Sequence, residues 1–164
     1  ATLYKCVNSK QDTWAAAMHR ETEALERRLE RRPSAGDTAG DRLASLFATL
    51  TRALLRKPNY ARAVLKAMTS GEEVASKVVA HQIKVTKLVI AALRGVSPAA
   101  TEAQLPSEEE LTIAMLLQQI WFAALVGWSA RLFGQAKVVE QVKTAAELLV
   151  AGQHALHDGR KRAG

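Results

Sequence analysis

Leu111 to Ala130 reads LTIAMLLQQIWFAALVGWSA, twenty consecutive residues without a charged side chain in a chain of 164. That is about the length that crosses the hydrocarbon core of a bilayer. Thr112, Gln118, Gln119 and Ser129 interrupt the stretch with polar groups, however, and no second segment of this kind occurs. A helix that is apolar all round can equally be covered by protein, its own core on one side and a second subunit on the other. The sequence favours that reading over a membrane span. Ser107 and Glu110 stand at capping-box spacing before the stretch, so the helix starts there and is expected to run to about Phe133.

The flanking sequence supplies the cover. Ala, Leu, Glu, Arg and Lys dominate, apolar residues recur at three- and four-residue spacing, and alternating strand patterns are scarce. The chain reads as all-α. A first long helix opens at Ser9 with the stripe Trp14, Met18, Leu25 and Leu29 and stops at Pro33, and Ser34 to Gly40 reads as a linker. Helices follow over about 41–57, broken by Pro58, and over about 60–69. Ser70 and Glu73 start a helix that ends at Arg94 before Gly95, with Lys77, Lys84, Lys87 and Arg94 as its one polar stripe. Opposite that stripe lie Val79, Gln82 and Thr86, two of them polar. Gly134 separates the uncharged helix from a last amphipathic one, and Gly152 to Gly164 reads as a fraying tail.

Composition narrows the function. With 48% apolar and 24% charged residues the chain is an ordinary globular one, and Cys6, its only cysteine, excludes a disulfide framework. A lone thiol and the absence of a leader-like segment suit a cytoplasmic location. The net charge of +7 is spread thinly and lacks interleaved aromatics, so charge alone marks no nucleic-acid groove. No phosphate loop, metal array or nucleophile with a recognisable base is present, which argues against an enzyme. His154 and His157 lack a third ligand, so no metal site is expected, and His81 reads as a half-buried packing residue.

Thr2-Leu3-Tyr4-Lys5-Cys6-Val7-Asn8-Ser9-Lys10 resembles the close of the helix-turn-helix in TetR-family transcriptional regulators, where a Thr-Leu-Tyr run ends the recognition helix and Ser-Lys opens the next. The later order of elements also looks like that family's regulatory domain. Cys6, Val7 and Asn8 depart from the family's usual aromatic pair and proline. The spacing of Trp121 and Trp128 and the Arg56-Lys57-Pro58 break look most like actinobacterial regulators of steroid and lipid catabolism. The resemblance implies a homodimeric repressor that releases operator DNA when a small apolar effector fills the regulatory domain, with no cofactor. It assigns Thr2, Tyr4, Lys5 and Lys10 to DNA, residues 1–8 to the remnant of a DNA-binding domain whose remainder precedes the chain, 9–157 to the ligand-binding and dimerisation domain, and 158–164 to a flexible tail.

Pocket candidates from the apolar faces are Phe47, Leu50, Leu54, Met68, Val79, Gln82, Thr86, Met115, Gln118, Trp121, Phe122 and Leu125. For the dimer interface the candidates are Trp128, Leu132, Val138, Val139, Val142, Ala146 and Leu149, with the last two helices expected to form a four-helix bundle with the partner. The uncharged helix has two apolar faces, one through Gln118 and Trp121 and one through Met115 and Phe122. Sequence does not settle which of them meets the pocket. The alternative function is a helical dimerisation module whose interior is fully packed.

Overall fold

The computed structural model describes residues 20, 22–68 and 72–163, with side-chain surroundings described up to residue 156 except at 67 and 72–80. These residues form six α-helices and one 3-10 turn: α1 over 22–31, α2 Ala39–Leu55, α3 Pro58–Met68, α4 Glu72–Arg94, the 3-10 turn Ala99–Ala103, α5 Glu108–Ser129 and α6 Gln135–Ala163. The expected helix N-terminal to residue 20, with Trp14 and Met18, lies outside the described residues.

Local chemistry sets most of the boundaries. At α5 the Ser107 hydroxyl accepts from the Glu110 amide at 3.2 Å, and the Glu110 carboxylate accepts from the Ser107 amide at 2.8 Å, as the spacing predicts. An equivalent box was hidden in the supposed linker. Thr38 caps α2, its hydroxyl taking the Asp41 amide while Asp41 takes the Thr38 amide, so the helix starts at Ala39 rather than Asp41. Pro58 does more than break a helix, because its fixed φ and missing N–H suit the first position of α3.

α4 closes in a Schellman arrangement, with Val96 N–H bonded to the Ala91 carbonyl, Gly95 N–H to that of Ala92, and Gly95 at φ 71°. Arg42 of α2 donates to the carbonyls of Ala92 and Leu93 at 2.8 and 3.0 Å, so one guanidinium caps α4 and ties it to α2. α5 ends in the same arrangement but four residues before Phe133: Leu132 N–H bonds Gly127 O and Arg131 N–H bonds Trp128 O. Arg131 fills the left-handed position at φ 62°, which an Arg in the sequence does not advertise. The Phe133 ring then folds onto Gly127, where an added Cβ would lie 2.5 Å from Phe133 Cζ, so a larger residue there would push the ring aside. α6 continues through Gly152 to Ala163, so the backbone of the expected tail is helical.

α5 is the one described helix long and apolar enough to cross a membrane, and its inner face is spent on protein. Ile113, Ala114, Leu117, Trp121, Ala124 and Leu125 are buried in one cluster with Leu43, Leu46, Phe47 and Leu50 of α2 and Val85, Leu88, Val89 and Ala92 of α4. Val138, Val142, Ala146 and Val150 of α6, each four residues on from the last, complete the cluster. At its centre the Trp121 indole N–H donates to the Thr51 hydroxyl at 2.9 Å, with Thr51 fully buried, and the Phe47 ring meets Trp121 edge-on at 5.7 Å. Arg94 forms a two-pronged ion pair with Glu110, 2.7 Å at each contact, which closes the loop between α4 and α5. That guanidinium holds the Glu110 carboxyl below its ordinary value.

α1 lies along α4. Thr22 meets His81, Glu23 meets Lys84, Glu26 meets Lys87 at 3.0 Å, and Glu30 accepts from the Ala99 amide. Leu25 and Leu29 point into the core. Lys87 also reaches Glu102 of the 3-10 turn at 2.8 Å, and these two carboxylates hold its ammonium above the ordinary lysine value.

Two substitutions test this reading. Arg131→Gly should raise stability by about 0.5–1 kcal/mol, because relief of the left-handed strain exceeds the extra chain entropy of glycine. Thermal denaturation would show a melting point about 2 °C higher, and an unchanged or lower one would mean that the Arg131 side chain compensates. Thr51→Val keeps the volume but strands the Trp121 N–H, and should cost about 1–3 kcal/mol in chemical denaturation, with Thr51→Ser costing less. Equal costs for the two would show that the hydroxyl is not the anchor.

Candidate ligand-binding site

Two cavities flank the Trp121 anchor. The larger, about 240 Å3, lies between the α2–α3 corner, α4 and α5. Leu54, Val64, Leu65 and Met68 form one wall, His81, Gln82 and Val85 the second, and Gln118, Gln119, Trp121, Phe122 and Leu125 the third. A smaller one of about 120 Å3 sits beneath α1, bounded by Thr22, Leu25, Leu50, Ala53, Arg56, Lys57 and Tyr60. Leu54, His81 and Trp121 line both and form the partition between them.

The helices explain which side chains arrive there. Gln118, Phe122 and Leu125 follow at four- and three-residue spacing on the α5 face turned to α3 and α4. Gln118 Nε2 donates to the Thr86 hydroxyl at 2.9 Å and to the Ala114 carbonyl at 3.2 Å. With both its N–H hydrogens committed, the amide has its carbonyl oxygen left to offer a ligand. Gln82 and Gln119 are exposed at the rim. His81 is half-buried, and burial pushes its imidazole below the ordinary histidine value, so it is neutral at physiological pH. Its Nδ1 lies 3.4 Å from Thr22 Oγ1. One wall of both cavities therefore touches α1.

Of the expected pocket residues, the structure brings together Leu54, Met68, Gln82, Gln118, Trp121, Phe122 and Leu125 around the larger cavity and Leu50 at the smaller. Thr86 stands behind Gln118 as its acceptor. Phe47 does not line either cavity: it is fully buried and props Trp121 from behind. Met115 is a correction, being 51% exposed. Two residues from the buried Leu117, it is turned about 200° round the helix and cannot reach the core. The side chain of Val79 lies outside the described residues, as do Thr2, Tyr4, Lys5 and Lys10.

Sequence reasoning missed His81, Tyr60, Val64, Leu65, Arg56, Lys57 and the α1 residues Thr22 and Leu25. Periodicity flags Val64 and Leu65 as buried, but nothing local says that their neighbour is empty space.

The interface candidates divide. Val138, Val142 and Ala146 are wholly buried within their own chain against α2 and α5 and cannot meet a partner. Val139 and Leu149 are half-buried, and the half-buried Trp128 ring is covered by Arg62 at 4.8 Å. Leu132 is 75% exposed. The apolar residues that α5 and α6 present outward are instead Leu111, Met115 and Val126 together with Leu148 and Leu156.

Residues 36–149, which include α2 to α5 and the first half of α6, match the family described as Tetracyclin repressor-like, C-terminal domain. The HTH-type transcriptional repressor KstR of Rhodococcus jostii (strain RHA1) is 27% identical over 161 residues, an alignment that spans 98% of this chain and 69% of that protein. The helical architecture agrees with both, and the match covers well over half the chain: this protein belongs to the TetR family of transcriptional regulators.

Proposed function

We propose that this chain is the ligand-binding and dimerisation part of a cytoplasmic repressor that releases operator DNA when a small apolar molecule, a lipid, acyl-CoA or steroid-like compound, fills the paired cavities. The observation that carries this reading is the partition itself. His81, Leu54 and Trp121 separate two largely apolar cavities, and His81 also touches Thr22 of α1. An occupant large enough to use both cavities has to move that partition. Because α1 is held to α4 at Thr22, Glu23, Glu26 and Glu30, a displacement of His81 passes into α1 and toward the residues that precede it. Thr2, Tyr4, Lys5 and Lys10, which precede α1 in the sequence, remain our candidates for contact with DNA. Gln118 and the neutral His81 give the ligand an acceptor and a tautomer-dependent donor or acceptor, which suits a hydroxyl or carbonyl on an apolar frame.

For the dimer, the outward apolar residues of α5 and α6 replace the buried set. Leu111, Met115 and Val126 on one helix and Leu148 and Leu156 on the next make an apolar surface that a second copy would cover.

Thermal shift with long-chain acyl-CoAs, steroids and other apolar compounds tests the ligand. At about 100 times its Kd a true ligand adds about 2.7 kcal/mol to stability. A screen in which no class raises the melting temperature would overturn the ligand reading and leave a packed dimerisation module. For the interface, Met115→Glu combined with Leu148→Glu should give folded monomers in sedimentation experiments. A dimer that survives both changes would place the contact elsewhere.

A further inference from the structure

His81, Gln82, Gln118, Gln119 and Trp121 carry the polar side-chain atoms in the lining of the larger cavity. Four of them set no fixed polarity there. The Trp121 N–H is spent on the Thr51 hydroxyl at 2.9 Å, inside the core. Gln82 and Gln119 are exposed at the rim, so either end of each amide can turn to a ligand or to water. His81 offers a donor or an acceptor according to its tautomer.

Gln118 differs because its amide is held from two sides. Nε2 donates to the Thr86 hydroxyl at 2.9 Å and to the Ala114 carbonyl at 3.2 Å. A carbonyl oxygen only accepts, so the Ala114 contact fixes which end of the amide is nitrogen. Turning the amide over would set two carbonyl oxygens against each other. Thr86 takes the second N–H from across the helix pair, so α4 locks an orientation that α5 alone would hold with one bond. Among the described residues no donor reaches Oε1, and this half-buried oxygen is left at a largely apolar cavity. An apolar pair at positions 86 and 118 would join the two helices without that desolvated acceptor.

We infer that Gln118 is a specificity-determining residue of the ligand site, that Thr86 is its positioning residue, and that the ligand group seated against them is a neutral hydroxyl rather than a ketone. The inference rests on the ligand reading above and narrows it: of the two oxygen functions that suit the site as a whole, the α5 wall takes the hydroxyl. A hydroxyl donates to Oε1. A ketone oxygen in the same place would face Oε1 with no hydrogen between them, and both acceptors would lose water without gaining a partner.

Binding of nonanols and the matching nonanones to the full chain, with the oxygen on the second, fourth or fifth carbon, tests this through the fluorescence of Trp121 in the cavity wall. For at least one position the alcohol should bind about 10-fold tighter than its ketone. Thr86→Val lets the amide turn over, so the ketone should gain and the ratio should fall to about 2-fold or less, while Thr86→Ser keeps the acceptor and should keep the ratio. Gln118→Met removes Oε1 and should bring the alcohol down to the ketone. A change in cavity shape alone would move alcohol and ketone together and leave their ratio where it was. Equal binding of alcohol and ketone at every position, or a ratio that Gln118→Met leaves unmoved, would overturn donor selection while the apolar site stands. A ratio that survives Thr86→Val would overturn the positioning role of Thr86. Binding of none of the probes would overturn the ligand reading and the inference with it.

Discussion

A helix that carries no charge between Leu111 and Ala130 must be covered along its length, and the arrangement of this protein follows from how the cover is divided. α2, α4 and α6 take the inner face, and the contact at the centre of the core is made through a polar group. The Trp121 indole brings an N–H into the core, where leaving it without an acceptor would cost about 1–3 kcal/mol. Thr51 supplies the acceptor from α2, and Phe47, one helical turn earlier, fixes the ring plane. A purely aliphatic core could slide in register; here Trp121–Thr51 pins α5 to α2 while Gln118–Thr86 pins it to α4. The two cavities lie on either side of the pinned ring because a large, rigid side chain held at one edge leaves space that smaller neighbours do not fill.

Features whose chemistry is local were legible in the sequence. The Ser107–Glu110 box, the Gly95 termination and the Lys143–Glu147 pair follow from spacing alone and stand where the spacing places them. Thr38 and Asp41 have the same spacing but are surrounded by Gly and Ser, so loop composition masked a cap. The end of α5 was misplaced for a related reason. A Schellman closure normally announces itself with glycine, and here Arg131 holds the left-handed position. The continuation of α6 past Gly152 ran against propensity, which is a weak guide once a helix has started.

The site was legible as a set of faces and opaque as a set of neighbours. Periodicity says that Gln118 and Trp121 lie on one side of α5 and Met115 on another, but not which side α4 will occupy. The error on α6 is of the same kind. Val138, Val142 and Ala146 form the most regular apolar stripe on that helix, and a regular stripe is what a core requires. The intersubunit candidates are the less regular Leu148 and Leu156, with Met115 and Val126 on α5, a pattern that resembles ordinary surface scatter until the fold leaves them exposed. His81 escaped for the opposite reason, since a half-buried histidine is usually a packing residue, and only its contact with Thr22 across two cavities distinguishes it.

The seam between α1 and α4 has the strength that the proposed switch would need. Partly exposed ion pairs such as Glu23–Lys84 and Glu26–Lys87 are each worth about 0.2–1 kcal/mol, and a neutral hydrogen bond such as Thr22–His81 contributes a similar amount. Together they reach on the order of 1–3 kcal/mol, which is the usual size of the free energy that couples two binding sites. A seam made only of buried leucines would resist displacement by a small ligand, and one made of a single surface pair would hold no register to transmit. Leu25 and Leu29 anchor α1 to the core while the polar contacts set its position along α4. Such a seam would let the helix shift against α4 without leaving the domain, the freedom that the proposed coupling of an occupied cavity to a DNA contact demands.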